Sequence, residues 1–506
     1  MRNGKLYSEL YKLGGYHFPS GTSPEPAVGG LASGGGRGLT VRKYGLAIDN
    51  VLSMTVVLAD GTSVVASSTS YPDLYWALRG GGGGNFGVIT SYTVKVYKTP
   101  VNSLAFLRYS IGSDYFNIFQ TTIANLPPEY STNVRLDLQN SYFIISYLGP
   151  MANLQSMIAS SGLTKSPHFQ WMKTTSCDAL GARSFTCCGD FTCQNAATIL
   201  SGAYAPVETT VKDYEKSKSD IFYKAIPLNI IDQIVNLLST GPRPDVYFDC
   251  YMSNGPVVNS LLPTDTPYPN RNAGLIYMCE YCIPSGNNGA DYYPGSPNYI
   301  WLHQFEALLK PYASGFKYYN YADLELTNFG QAYWGDANFR RLIQIKNKYD
   351  PNNWFRSAQS IPLSYPGAPT ARTTSTPTSK PVIASPTTKA VSSSPSTTVV
   401  AGTAKPTTTS SGGIASIDSV VTFASVQKCN FVTGCNVKIN DCVAGTSCVQ
   451  NMDWTQCVES PDIISKTNCI QFQMYGCSSD SDCCNPNAIC TPDKICHLGE
   501  CAYGLW

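Results

Sequence analysis

A run of five glycines, Gly80 to Gly84, constrains this chain more than any other feature. The amphipathic stretch YPDLYWALR (71 to 79) precedes it, and Asn85, Phe86, Gly87 and the apolar, β-branched run Val88, Ile89, Thr90 follow. The pattern predicts a helix, a loop of bare backbone and a strand. Without Cβ atoms, the amides of such a loop can lie directly against a ligand and adopt positive φ. A merely flexible loop is the competing reading. Against it stands a second cluster upstream, Gly29, Gly30, Gly34, Gly35, Gly36 and Gly38, which gives the region two such surfaces.

The 506 residues suggest about three structural units, and 43% hydrophobic with 12% aromatic content is ample for a sizeable core. Lys plus Arg (35) nearly cancels Asp plus Glu (34), so no electrostatic case exists for nucleic acid or an anionic membrane as partner. Charged residues make up only 14% of the chain, below the ~25% of an average soluble protein. A neutral polar surface of that kind suits an extracellular protein. Nineteen cysteines point the same way, twelve of them between Cys429 and Cys501. Nothing in the sequence approaches the ~20 apolar residues of a membrane span. MRNGKLYSELYKLGG has no apolar secretory region, and the expectation is therefore that Met1 is not the biological start.

KLYSELYKL (5 to 13) reads as a packing helix, and VLSMTVVLADGTSVVAS (51 to 67) as two strands turning at Asp60-Gly61. Asp49 could be the acidic ribose ligand of a nucleotide site, but the preceding glycines lead into LTVRKYG and no βαβ unit is visible. His17, alone in a turn, reads as structural. Strand-like runs at 104–110, 142–149, 245–252 and 273–283, with one clear helix at 228–238, describe an antiparallel sheet backed by helices. Its many tyrosines are either plain sheet residues or sugar-stacking faces. Seven cysteines fall in this body. CEYC (279 to 282) has redox-like spacing, and with Cys187, Cys188 and Cys193 it could form a zinc site, but a local structural disulfide is the preferred reading. IWLHQFEALLKPYA (300 to 313) reads as a helix, and a further helix over about 337–348 is stopped at Pro351.

GGGRGLTVRKYGLAIDNVLSMTVVLADG (34 to 61) with DLYWALRGGGGGNFGVIT (73 to 90), and downstream YYNYADLEL (318 to 326), AYWG (332 to 335) and IQIKNKYDPNNWFRSAQSI (343 to 361), resemble the berberine-bridge-enzyme-like oxidases, FAD-linked proteins of the vanillyl-alcohol-oxidase type. The resemblance covers about residues 7 to 362. It implies an α+β fold: a partial FAD-binding domain at 1–100, an antiparallel-sheet substrate domain at 101–300 and a return segment at 301–362. The family's first flavin-binding segment would precede residue 1. By resemblance, Gly35, Gly38, Asn85, Gly87 and Val88 line the FAD, Tyr333 and Asn338 approach it from the return segment, and Tyr321, in an Asn-Tyr-x-Asp strand, is the catalytic base. The residues alone leave Tyr321 equally readable as a core tyrosine. A phenol near pKa 10 can act as base only if its surroundings lower that value. Two departures stand out. Ser23 occupies the place of the cysteine that forms a second flavin bond in some members, and Asn338 lies one residue beyond the usual spacing.

Residues 366–413 are a Pro/Ser/Thr linker, fit for O-linked sugars, and no N-linked sequon occurs in the chain. Residues 428–506 read as a small disulfide-stapled module, with zinc a poor second, since His497 is its only histidine. The sequence thus predicts a secreted FAD-dependent oxidase. It would pass a hydride from a hydroxyl-bearing carbon of a small molecule or oligosaccharide to flavin and return the electrons to molecular oxygen, while its tail binds cell wall or polysaccharide. The alternative is a non-catalytic binding protein whose useful part is that tail.

Overall fold

The computed structural model describes residues 1–366 apart from 99–100, 123–124, 179–180, 183–184, 186–192, 194–213, 272–276 and 286–291, and beyond 366 only the strands at 419–424, 446–451, 454–459, 474–475, 488–490 and 495–498. Cys187, Cys188, nearly all of the linker and most of the Cys-rich segment lie outside the described residues. Two compact units are present, Met1–Ser425 and Val426–Trp506.

Among its described residues the first unit has twelve strands. They are β1 (Tyr16–His17), β2 (Val51–Val57), β3 (Ser63–Ser67), β4 (Val88–Lys98), β5 (Asn102–Tyr109), β6 (Tyr130–Asp137), β7 (Tyr142–Tyr147), β8 (Phe169–Cys177), β9 (Tyr214–Phe222), β10 (Tyr247–Met252), β11 (Tyr277–Ser285) and β12 (Ser419–Ala424). The smaller sheet runs β1-β4-β2-β3, with β12 also paired to β4. β2 and β3 are the hairpin expected around Asp60-Gly61, where Asp60 Oδ1 accepts bonds from the amide (2.9 Å) and hydroxyl (2.7 Å) of Thr62. Against this sheet pack Leu6 and Leu10 of the helix Asn3–Lys12, Leu74, Trp76 and Leu78 of the helix Pro72–Leu78, and Trp334, Phe339 and Leu342 of the helix Phe329–Tyr349. One apolar core is therefore shared by the first hundred residues and the return segment. The last helix bends at Gly335, whose φ of 71° and ψ of 160° are non-helical.

The larger sheet is antiparallel, in the order β8-β5-β7-β6-β10-β11-β9. Side chains alternate faces along a strand. Phe248, Cys250, Tyr277, Cys279 and Tyr281 enter a core with helices Met151–Ser161, Leu228–Ser239 and Pro297–Leu309. Tyr247, Asp249, Tyr251, Met278 and Glu280 take the opposite face, with Asp249 opposite Glu280 and Tyr251 opposite Met278. This polar face is the one turned toward the glycine-bearing layer.

Two expectations are corrected. Cys279 is bonded to Cys250 across β10 and β11, not to Cys282, because antiparallel register brings the first pair face to face while two residues along one strand are held apart. Residues 316–328, expected to include a strand, are turns, with Tyr321 N–H donating to Tyr318 O (2.9 Å). A second disulfide joins Cys177 to Cys193.

The second unit, within its described residues, consists of short antiparallel pairs. Backbone register sets Cys448 opposite Cys457 and Cys490 opposite Cys496.

Candidate active site

The glycine clusters give the return segment a close approach. At Gly82 (φ +88°) a Cβ would fall 2.3 Å from Cζ of Tyr319, and at Gly34 it would fall 2.1 Å from Oδ1 of Asn320. Gly35 faces the Tyr318 ring, whose hydroxyl accepts the Gly36 amide (2.9 Å). Asn320 Nδ2 donates to Leu31 O (3.0 Å) and to the same hydroxyl (3.1 Å). The bare backbone thus seats the turn that carries Tyr321.

Around that turn a polar cluster forms between the two layers. The Arg37 guanidinium lies 3.6 Å over the Tyr251 ring. The Tyr251 hydroxyl donates to Asp249 (2.8 Å), which also accepts from Asn133 and, at 3.4 Å, from Tyr142. The Tyr321 ring meets that of Tyr318 edge-on at 5.4 Å. Burial pushes the Tyr321 phenol well above its ordinary value near 10, Glu280 pushes it further, and Arg37 pulls it back. Asp249 is likewise raised by burial, against the pull of Arg135. Tyr321 is therefore a neutral phenol beside a guanidinium and a carboxylate, the reverse of the lowered pKa that a base at that position requires.

Of the residues expected from sequence, the structure brings Gly35 and Tyr321 to this cluster. The others hold the scaffold. Asn85 is buried and bonded within the scaffold: Nδ2 donates to Gly81 O (3.0 Å) and Oδ1 accepts from the Ile361 amide (2.9 Å). At Gly87 a Cβ would fall 2.6 Å from Val57 O, so its lack of side chain serves strand packing. Val88 is 48% exposed on β4. Gly38 O accepts the Val41 amide (3.2 Å). Tyr333 accepts the Asp323 amide (2.9 Å) and donates to Gln359 (3.1 Å). Asn338 donates to the carbonyls of Pro263 (2.8 Å), Thr266 (3.3 Å) and Pro267 (3.2 Å). Asp49, weighed as a ribose ligand, is held by Arg271 in two bonds of 2.9 and 2.7 Å, and His17 is buried with Nδ1 on Tyr97 O (2.9 Å) and Nε2 on Thr40 (3.2 Å).

Arg37, Asp249, Tyr251 and Glu280 were not singled out from sequence. For Asp249, Tyr251 and Glu280 the signal was a polar residue at every second place in otherwise apolar strands, DVYFDCYM and MCEYC, and for Arg37 it was a lone cation inside the upstream glycine cluster.

An ion network anchors the turn from behind. Asp323, two residues past Tyr321, meets Lys216 (2.7 Å) and Lys218 (2.9 Å), and Lys218 also meets Glu306 (3.1 Å) and Glu325 (2.9 Å). Burial alone would raise the Asp323 carboxyl, but the two ammonium groups prevail and hold it below the usual range. A carboxylate depressed in the folded state contributes stability above its unfolded pKa of ~3.9 and loses it as pH falls through the depressed value. The melting temperature of the native protein should fall below about pH 4. Its margin over Asp323→Asn should narrow over the same range, and a margin independent of pH would refute the assignment.

The structure carries features that fit a flavin. At Gly30 and Gly84 a Cβ would meet nothing within 4 Å, so bare backbone is open there, and the buried Nε of Arg37 and Nδ2 of Asn270 have no hydrogen-bond partner among the described residues.

Comparisons with known proteins agree. The family profile described as FAD binding domain matches residues 1–67, and that described as berberine and berberine like matches residues 317–362. Berberine bridge enzyme-like 22 of Arabidopsis thaliana is 28% identical over 71% of this chain and 70% of its own. Tetrahydroberberine oxidase of Berberis wilsoniae is 26% identical over 72% of each. The solved structure of Phl p 4, a grass pollen allergen with glucose dehydrogenase activity, superposes with a TM-score of 0.61 at 26% identity, covering 71% of this chain and 75% of that one. Fold, glycine surfaces and both profile matches define an FAD-linked oxidoreductase. The profile matches, the relatives and the solved structures all support a berberine-bridge-enzyme-like FAD-linked oxidase.

Proposed function

We propose that this oxidase acts on a hydroxyl-bearing carbon, with a carbohydrate alcohol as its preferred substrate and a secondary-metabolite alcohol as the other candidate. The placement of Tyr321 within the electrostatic reach of Arg37 and Glu280, between the glycine layer and the polar sheet face, carries the reading. Gly35 and the open backbone at Gly30 and Gly84 would hold the cofactor. Bound FAD supplies a two-electron sink for the hydride leaving the substrate carbon. The protein must then remove the hydroxyl proton. In this reading the Tyr321 oxygen takes it while the phenol's own proton passes to Glu280, and the Arg37 cation stabilises the negative charge that builds on the phenol oxygen.

A carbohydrate is favoured by aromatic rings on the same sheet face. Phe106 stacks on Trp171 at 5.5 Å and meets Tyr142 at 5.4 Å, and Trp171 is 41% exposed. Flat rings of this kind accept the apolar faces of sugars. The glucose dehydrogenase activity of Phl p 4 supports the same class. Anaerobic mixing with aldoses, oligosaccharides and aromatic alcohols, followed by bleaching of the flavin bands, tests the class. Peroxide release on admitting air tests oxygen as acceptor. Trp171→Ala should raise KM for sugars about tenfold with kcat unchanged, by loss of ~1.4 kcal/mol of stacking. Bleaching by aromatic alcohols alone would discard the carbohydrate reading.

Secretion fits the disulfides Cys177–Cys193 and Cys250–Cys279, and among the described residues no helix is long and apolar enough to cross a membrane. In the same reading the Cys-rich tail is a disulfide-stapled wall or polysaccharide binder.

A further inference from the structure

We infer that the edge of β4 is a strand-docking site whose occupant is this chain's own segment Ser419–Ala424. Six residues pair in unbroken antiparallel register, from Ser419 opposite Val96 to Ala424 opposite Ser91. On its other side β4 carries β2, and beyond Val96 the same edge is taken by β1, with His17 opposite Tyr97 and Tyr16 opposite Lys98. Without β12, the amides and carbonyls of Ser91–Val96 along that edge would face outward, the kind of row that invites pairing with another chain.

The sequence supports an evolved occupant. SVVTFA is rich in β-branched residues and, unlike the TTVVA run at 397–401 of the preceding Pro/Ser/Thr tract, also carries an aromatic residue. Pairing two segments so far apart in sequence costs little more than pairing near ones, because the entropic term of closure grows only with the logarithm of the separation. β4 leaves the second glycine cluster directly, and its Tyr92 hydroxyl donates to Gly29 O (3.2 Å) in the first, so the docked strand also buttresses a strand in contact with both.

The test compares the full-length protein with its Val420→Pro/Val421→Pro variant. Neighbouring amides in a strand face opposite edges, so whichever of the two donates to β4 is removed. Hydrogen exchange read by mass spectrometry on peptides spanning residues 88–98 should be about tenfold faster in the variant, at amides that β12 protects. A circular-dichroism melt of the variant reports whether the body remains folded. Equal exchange in the two proteins overturns the inference. So does protection that fades on dilution of the native protein, since the strand would then come from a second copy.

Discussion

Tyr321→Phe should bind FAD as the native protein does yet bleach it with substrate some 10²- to 10⁴-fold more slowly, the range expected when a positioned proton acceptor is lost. The phenol is the atom removed; the ring stays against Tyr318, and the turn stays seated on Gly34, Gly35 and Gly82. The effect should appear in kcat and kcat/KM alike, as for an interaction made only in the transition state. Because Arg37 opposes the upward push of burial and Glu280 on this phenol, Arg37→Met should act through the same proton and combine with Tyr321→Phe less than additively. A Tyr321→Phe variant that reduces its flavin at the native rate would pass the role to Glu280 alone.

The largest loss of stability is expected from Lys346→Met. Lys346 and Asp350 have side chains with 0% exposure, 2.6 Å apart. The ammonium also donates to Asn85 O (2.8 Å) and Phe355 O, while Asp350 accepts the amides of Trp354 and Phe355, each at 2.8 Å. Removing the cation leaves a buried carboxylate without its charge partner, a change that costs about 3–5 kcal/mol. Chemical denaturation should show it as a lower midpoint with unchanged slope. Lys346→Met/Asp350→Asn should recover part of the loss, and a single variant as stable as the native protein would show the pair to be dispensable.

The elements with strong local signals were legible in the sequence: the helix before the glycines, the Asp60-Gly61 hairpin, the helix at 228–238 and four strands of the larger sheet. The edge strands β8 and β9 were not, since Gln170, Lys173, Lys216 and Lys218 interrupt any apolar pattern. Lys218 is nevertheless buried, stabilised by acids far away in sequence. The site was half legible. Tyr321 and Gly35 carry family motifs, whereas Asp249 and Glu280 matter only once strand register places them around Tyr321, and Arg37 only once the glycine layer packs on that sheet face, which no local pattern encodes. Conversely, Asn85, Tyr333 and Asn338 are motif residues whose hydrogen bonds are spent on backbone groups or, for Tyr333, partly on a neighbouring side chain of the scaffold.

The shared core of the glycine layer also sets an order of events during synthesis. Leu6, Trp76 and Val94 are buried against Trp334, Leu342 and Ile361, so the first hundred residues emerge from the ribosome with a large part of their apolar contacts still unmade. The missing half arrives roughly 260 residues later, on the order of half a minute at ~5–20 residues per second. Through that interval the nascent glycine layer is an unfinished sheet, with exposed apolar surface that a chaperone or premature pairing could occupy. Any truncation that removes residues 333–361 should therefore be felt first at the N-terminus, as insolubility of a segment whose own sequence is intact.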